Sequence, residues 1–152
     1  MMLRLSKKLM FAIEAVLDIA YNAGAQPVQS REINSRQGIP RRYLEPVLQQ
    51  LVHAGILDGV RGPRGGYRLA RERRKITLAE IAEAVRSTEA AGNPFDIPPG
   101  SPLGQEIVRP LCLDLVADWT KQLDQITIED LCNRARETGI DSVAEKTHDF
   151  SI

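Results

Sequence analysis

Three features of this 152-residue chain predict a mainly α fold with a small β-wing, arranged as a winged helix-turn-helix with one long helix after it. Apolar residues recur at helical spacing in several separate stretches. Between residues 29 and 70, two short helical patterns flank Gly38-Ile39-Pro40. They are followed by Gly59-Val60-Arg61-Gly62-Pro63-Arg64-Gly65-Gly66-Tyr67-Arg68-Leu69, a glycine-rich hairpin. Residues 106–125 then carry Ile107, Leu111, Leu115, Trp119 and Leu123 at helical spacing, with Val108, Cys112 and Val116 beside them. That long helix has more apolar surface than one small domain needs.

The first helix, over 7–22, places Leu9, Ile13, Val16, Leu17 and Ala20 on one face, with Ser6 as its cap. Gly24, Gln26 and Pro27 mark a turn. Ser30 is then expected to cap a short helix ending at Gln37, with Glu32 in the first turn, where the helix dipole favours a carboxylate. Gly38 stops that helix and Ile39-Pro40 opens the next, in which Leu44, Val47, Leu48, Leu51 and Val52 share a face and Gly55 closes the end. Pro46 in a helix interior costs about 3 kcal/mol. A loose or 3₁₀ first turn is therefore expected over 40–43, with regular helix from near Glu45.

Ile56-Leu57 and Tyr67-Arg68-Leu69 read as the wing strands, and Thr77-Leu78-Ala79-Glu80 has capping-box spacing ahead of Ile81, Ala82 and Val85. Seven of the thirteen residues in 92–104 are Gly or Pro, which predicts a loop. Pro110 is expected to kink the long helix or to mark its regular start. Thr127-Ile128-Glu129-Asp130 opens a short final helix, and the tail at 139–152 lacks periodicity, which predicts fraying. The chain thus divides into a winged helix-turn-helix DNA-binding domain at 1–87, a Gly/Pro-rich loop at 88–105, a dimerisation helix with a short final helix at 106–138, and a flexible tail at 139–152.

A chain of this size buries roughly two thirds of its unfolded surface, enough for one core. Its 43% hydrophobic and 26% charged residues are those of a soluble globular protein. The zero net charge conceals a polarity: residues 1–87 hold 15 Lys and Arg against 8 Asp and Glu, whereas 88–152 hold 5 against 12. One half is suited to a polyanion and the other is not. No apolar run approaches a membrane span, and Glu14 and Asp18 interrupt the stretch after the basic N-terminus, a poor signal peptide. Two cysteines, Cys112 and Cys132, are too few for a disulfide scaffold, so a reducing cytoplasm is the expected location.

Helix-turn-helix domains meet base edges with the first residues of their second helix. Here those are Arg41, Arg42, Tyr43 and Glu45; arginine can chelate guanine and glutamate can accept from cytosine. Gly62, Gly65 and Gly66 are expected to permit positive backbone angles and close approach to a phosphodiester backbone. Arg61 and Arg64 project from that hairpin, and a narrow minor groove attracts arginine. Lys7, Lys8, Ser30 and Arg31 stand at helix N-termini, where donors and positive charge favour phosphate. Each element has an ordinary structural reading too. Helical cores contain similar corners, Tyr43 can pack, Glu45 can pair with Arg41 or Arg42, and Arg71, Arg73, Arg74 and Lys75 read as a solvated turn. Two arginines among four glycines are poor core material, however, and the combination favours double-stranded DNA as partner.

The words Tyr43-Leu-Glu-Pro-Val-Leu-Gln-Gln-Leu-Val-His-Ala-Gly-Ile-Leu57 and Arg61-Gly-Pro-Arg-Gly-Gly-Tyr-Arg-Leu69 closely resemble the Rrf2 family of winged-helix regulators. The match continues through Ile76-Thr-Leu-Ala-Glu-Ile81 and Ile126-Thr-Ile-Glu-Asp-Leu131, and so spans the chain to about Arg136. The resemblance implies a homodimer, joined through the long helix by residues such as Ile107, Leu111, Cys112, Leu115, Trp119 and Leu123, on a roughly palindromic operator. By carry-over, Glu45 sits where the family reads a base and Arg61 where its wing enters the minor groove. Many members hold an iron–sulfur cluster on three cysteines in and just after the loop before the dimer helix. This chain has none between Met1 and Leu111, and the last of those positions falls near Glu106. Cys112, Cys132, His53 and His148 do not supply the roughly four good ligands a cluster needs. The expected cofactor is none.

The leading reading is a dimeric, sequence-specific regulator, most simply a repressor, with a small-molecule or protein effector acting at the 88–105 loop. The alternatives are a redox or iron–sulfur sensor with atypical ligands, and a winged-helix module that docks a protein through the long helix. Both cysteines read first as buried apolar residues, although Cys112 facing its two-fold mate would make a thiol switch. His53 is expected to be a partly exposed helix residue. No nucleophile motif, metal-ligand spacing or phosphate-binding loop points to an enzyme.

Overall fold

The computed structural model describes residues 5–86 and 94–143. Helix α1, Lys7–Tyr21, begins where expected: Ser6 Oγ accepts the Leu9 N–H at 3.1 Å. Ala12, Ala15, Val16 and Ile19 bury its inner face. Helix α2, Ser30–Gln37, takes its cap one residue earlier than expected. Ser30 is its first helical residue, Gln29 occupies the cap position, and the Glu32 carboxylate accepts the Gln29 N–H at 2.9 Å. Gly38, at φ 66°, makes the left-handed stop.

Helix α3, Arg41–His53, corrects the expectation of a 3₁₀ start. It is α-helical from Arg41, and the Pro40 carbonyl accepts from both Tyr43 and Leu44 at 3.0 Å. Pro46 removes one rung, the bond that would reach the Arg42 carbonyl, at about 3 kcal/mol. Burial of Leu44, Val47, Leu48 and Leu51, worth about 1.5–3 kcal/mol each, outweighs that loss and keeps the helix continuous through it.

The wing is an antiparallel pair, β1 Leu57–Val60 and β2 Gly66–Leu69, with Leu57 opposite Leu69 and Val60 opposite Gly66. β1 starts one residue later than the sequence suggested and runs into the expected loop, because Val60 finds Gly66 across the ladder. A further bridge joins Val28 to Tyr67 and so ties the wing to the segment entering α2. Helix α4, Leu78–Arg86, is capped by Thr77 Oγ1, which accepts the Glu80 N–H at 3.2 Å. The other half of the expected box is diverted, since the Glu80 carboxylate binds Arg71.

The long helix begins ahead of the expected Glu106. A π-helical turn, Gly104–Val108, leads into α5, Arg109–Gln125. Pro110 marks the regular start. It has no N–H and its ring crowds the preceding turn, and the wider π turn accommodates both. Helix α6, Ile128–Glu137, opens with a full capping box: Thr127 Oγ1 accepts the Asp130 N–H at 3.1 Å, and the Asp130 carboxylate accepts the Thr127 N–H at 2.9 Å.

A boundary at residue 87 cuts in sequence what the fold joins. Ile128 and Cys132 of α6 are fully buried in the one core cluster, and α6 packs on α1. Leu78 N–H donates to the Ile126 carbonyl and Ile128 N–H to the Ile76 carbonyl, both at 2.9 Å, so the chain leaves and returns at one point. The described part of the expected tail is not frayed. Tyr21 hydroxyl donates to the Ile140 carbonyl, Val143 N–H donates to Asn22 Oδ1 at 2.9 Å, and Ser142 is buried. Residues 88–93 of the loop and 144–152 of the tail lie outside the described residues.

Candidate nucleic-acid interface

The start of α2, the outer face of α3 and the wing surround an open cleft of about 720 Å³. Ser30 and Arg31 enter it from α2, Arg41 and Gln49 from α3, and Arg61, Gly65 and Tyr67 from the wing. Arg64 sits behind this cleft, sharing a smaller groove with Arg31, Gln29 and Glu32. Arg42, Glu45 and Gly62 are exposed around it. Lys7 and Lys8 stand at the start of α1, apart from the residues that line the cleft.

Several cations away from the cleft are paired. Arg71 pairs with Glu80, Arg73 with Glu129 at 2.6 Å, Arg74 with Glu72 at 2.5 Å and Arg86 with Glu83 at 2.7 Å. Three members of the expected solvated turn are therefore neutralised within the chain. Among the described residues, Lys7, Lys8, Arg31, Arg41, Arg42, Arg61 and Arg64 have no carboxylate partner, and neither do Arg68, Lys75, Arg109, Lys121 and Arg134. Arg31, Arg41 and Arg61, unpaired and lining one cleft, suit it to a polyanion.

Tyr43 packs: its ring centroid lies 5.4 Å from that of Phe11, and the Arg42 guanidinium lies over the Tyr43 ring at 4.9 Å from its centroid. That contact orients Arg42 near the head of α3. Glu45 is exposed and makes no ion pair with Arg41 or Arg42, so the pairing weighed above does not form.

The wing glycines need correction. Only Gly62 takes a positive backbone angle, φ 109°. A side chain on Gly65 would sit 2.2 Å from the Val60 carbonyl oxygen, and one on Gly66 would sit 2.4 Å from that of Val28. These two glycines serve close approach inside the chain, and so fix the wing tip that carries Arg61 and Arg64.

Two groups here carried no site signal in the sequence. Asp18 is 2% exposed in α1 and binds both α2 residues that reach it. Arg36 Nε and Nη2 donate to its two oxygens at 2.9 and 2.8 Å, and Gln37 Nε2 donates at 2.8 Å. The Asp18 hydrogen bond raises the Arg36 pKa further above its ordinary value. This pins α2, and with it Ser30 and Arg31. Tyr67 is the other: burial and then the Glu45 carboxylate raise its phenol, against a hydrogen bond from Gln49.

The profile of the Rrf2 family, described as an iron-dependent transcriptional regulator, matches residues 5–134. The chain belongs to the Rrf2 family. The regulator IscR of Escherichia coli is 34% identical over 97% of this chain and 90% of its own. A solved T. potens IscR superposes with a TM-score of 0.71 at 30% identity, covering 89% of this chain and 90% of that one. CymR of B. subtilis, a global cysteine regulator, shares the fold at a TM-score of 0.70 and 24% identity, over 88% of this chain and 98% of its own. This Rrf2 member is a winged-helix DNA-binding transcriptional regulator, and none of its described helices is long and apolar enough to cross a membrane.

The long helix divides. Ile107, Leu111 and Leu115 are 61%, 56% and 45% exposed, whereas Leu123 is 8% exposed and packs inward. Trp119 is half-buried against the core, and Cys112 is half-buried. The last turns of α5 are drawn into the fold because they lead into Ile126 and Ile128, which pack in the core. His53 is exposed at the end of α3.

The thiols do not fit a cluster. The sequence holds only Cys112 and Cys132, and Cys132 is fully buried in α6, where burial pushes its thiol up. Among the described residues, no three His, Cys, Asp or Glu side chains are grouped to hold a metal.

Proposed function

We propose that this Rrf2-family regulator works as a homodimer that represses transcription from a roughly palindromic operator, in the cytoplasm, without enzymatic activity and without an iron–sulfur cluster. The observation that carries the dimer is the stripe on the long helix, where Leu103, Ile107, Leu111 and Leu115 follow one another at four-residue spacing with 45–73% of each exposed. Each such side chain gains about 1.5–3 kcal/mol when fully buried. A second copy supplies the same stripe across a two-fold axis, the commonest oligomer symmetry. Two clefts then face one side, and a two-fold protein calls for a two-fold site. Repression follows when that site overlaps a promoter.

The absence of a suitable thiolate set supports a regulator that takes its signal by another route. The 88–105 loop, which joins α4 to the long helix, is where an effector would act on both. Genome-wide occupancy by the tagged protein, with transcripts compared in its presence and absence, tests the reading. Recovered sites should contain an inverted repeat and the neighbouring transcripts should rise when the protein is removed. Single half-sites would refute the dimer, and falling transcripts would refute repression. Stoichiometric iron in anaerobically purified protein would refute the cluster-free assignment.

A further inference from the structure

The wing has a second face. Successive residues of a strand point to opposite sides, so Tyr67 of β2 turns toward the cleft and Arg68 turns away from it. On that rear side Arg61, Arg64 and Arg68 line a groove of about 430 Å³ against Gln26 and Pro27. Arg64, Gln26 and Pro27 also line the smaller groove, of about 300 Å³, that reaches Arg31. The shared residues make the two one trough, which runs behind the wing to the start of α2. Arg61 borders both this trough and the main cleft, so the wing tip stands between them.

Little negative charge opposes these arginines. Glu32 lines the trough but already accepts the Gln29 N–H, and Asp58, opposite Arg68 in the ladder, makes no ion pair with it. The Arg68 guanidinium is held by the backbone instead: its Nη2 donates to the Ala25 carbonyl at 3.0 Å. That uses one corner of its donor fork and leaves the rest for a ligand.

We propose that the rear trough is a second phosphodiester-binding surface, in which Arg64 and Arg68 hold the strand on the far side of the minor groove that Arg61 enters. A minor groove is about 6 Å wide, so a hairpin tip inside it has a sugar–phosphate strand on each flank. The cleft side meets one strand and the trough meets the other. Each wing is then clamped by both strands, which limits how deeply Arg61 can sit. Duplex DNA is the partner that fits, because the trough is continuous with the cleft through Arg61 and Arg31 and carries the same charge. Arg64, which the sequence set beside Arg61, moves from the groove to the backbone next to it. Phosphate contacts position a protein without reading bases, so these two arginines supply affinity and register.

The inference rests on Arg61 entering a minor groove, and its test separates the two. Wild type, Arg61→Ala, Arg64→Ala, and Arg64→Ala with Arg68→Ala are each bound to one duplex selected by the wild-type protein, over a series of salt concentrations. The same duplex, sparsely ethylated on its phosphates, maps the contacts each protein needs. Arg61→Ala should weaken interference on both strands bordering one minor groove. The double variant should lose interference on one of those strands only, with base preference unchanged, and should flatten the slope of log K against log salt by about two for each wing bound. Because Arg68 also holds Ala25, Arg64→Ala alone guards against a misfolded wing: with the thermal midpoint of wild type, it should flatten the slope by about one for each wing. If Arg61→Ala alters both strands while neither other variant alters strand or slope, the trough is not a DNA surface and the wing assignment stands. Equal losses on both strands in the double variant would mean a diffuse field, which also overturns the proposal. If Arg61→Ala leaves every contact unchanged, the wing enters no groove and both readings fall.

Discussion

Helices α3 and α5 are both amphipathic, yet the fold completes only one of them. The apolar face of α3 is closed within the chain: Leu44, Val47, Leu48 and Leu51 are each at most 1% exposed, and its outward face carries charge with no internal partner. On α5 the apolar residues are themselves outward, and of the residues expected at its interface only Leu123 is fully taken into the core. A helix whose polar side is bare asks for a polar ligand, and one whose apolar side is bare asks for an apolar one. The first is met by DNA and the second, on our proposal, by a second copy.

Truncation offers the sharpest way to break this contrast. Leu48→Ala, at a fully buried site, should cost about 2–5 kcal/mol in denaturant unfolding at any protein concentration. Leu111→Ala, at a site 56% exposed, should leave dilute protein unchanged and lower only the part of stability that grows with concentration. Similar losses from the two at all concentrations would end the comparison. Asp18→Ala comes next. It strands Arg36 and Gln37 at the α1–α2 contact and should cost about 3 kcal/mol, at the low end for a broken buried pair because Arg36 is partly exposed. Asp18→Asn should recover part of it, and an unchanged Tm for Asp18→Ala would deny the contact its role.

Smaller effects sharpen the polar side. Glu45→Ala should cost about 1–3 kcal/mol of discrimination at a single base position, read as the ratio of affinities for matched and mismatched duplexes. A uniform change across all duplexes would instead make Glu45 a general electrostatic residue. Arg31→Ala should weaken binding alike on every sequence and flatten the slope of log K against log salt by about one. An unaltered slope would remove Arg31 from the phosphate contacts.

The legible part of this molecule was local. Ser6 and Thr127 as caps, Gly38 and Gly55 as stops, and the stripes of α1, α3 and α4 follow from side-chain spacing and backbone chemistry within a few residues. The wing arginines were legible too, because charge among glycines has no use in a core. Long-range contacts were what spacing could not show. Asp18 looks like a fault in an apolar stripe until Arg36 arrives from eighteen residues away. Gly65 and Gly66 look like freedom of angle, and only the ladder and the Val28 strand reveal crowding. Tyr67 looks like a strand residue until α3 packs beside it, and Leu123 shares the period of Leu111 and Leu115 but faces home. Position in the helix-turn-helix and the hairpin already singled out Glu45 and Arg61, and resemblance to relatives added the specific roles expected of them.

The most direct measurement is the mass of the free protein and of its complex with a selected duplex, by sedimentation equilibrium, for wild type and for Leu111→Asp. Two chains free and two chains per duplex, falling to one chain with much weakened binding in the variant, is the expected result. A single wild-type chain in solution that binds its duplex one to one, indifferent to a charge at Leu111, would contradict it.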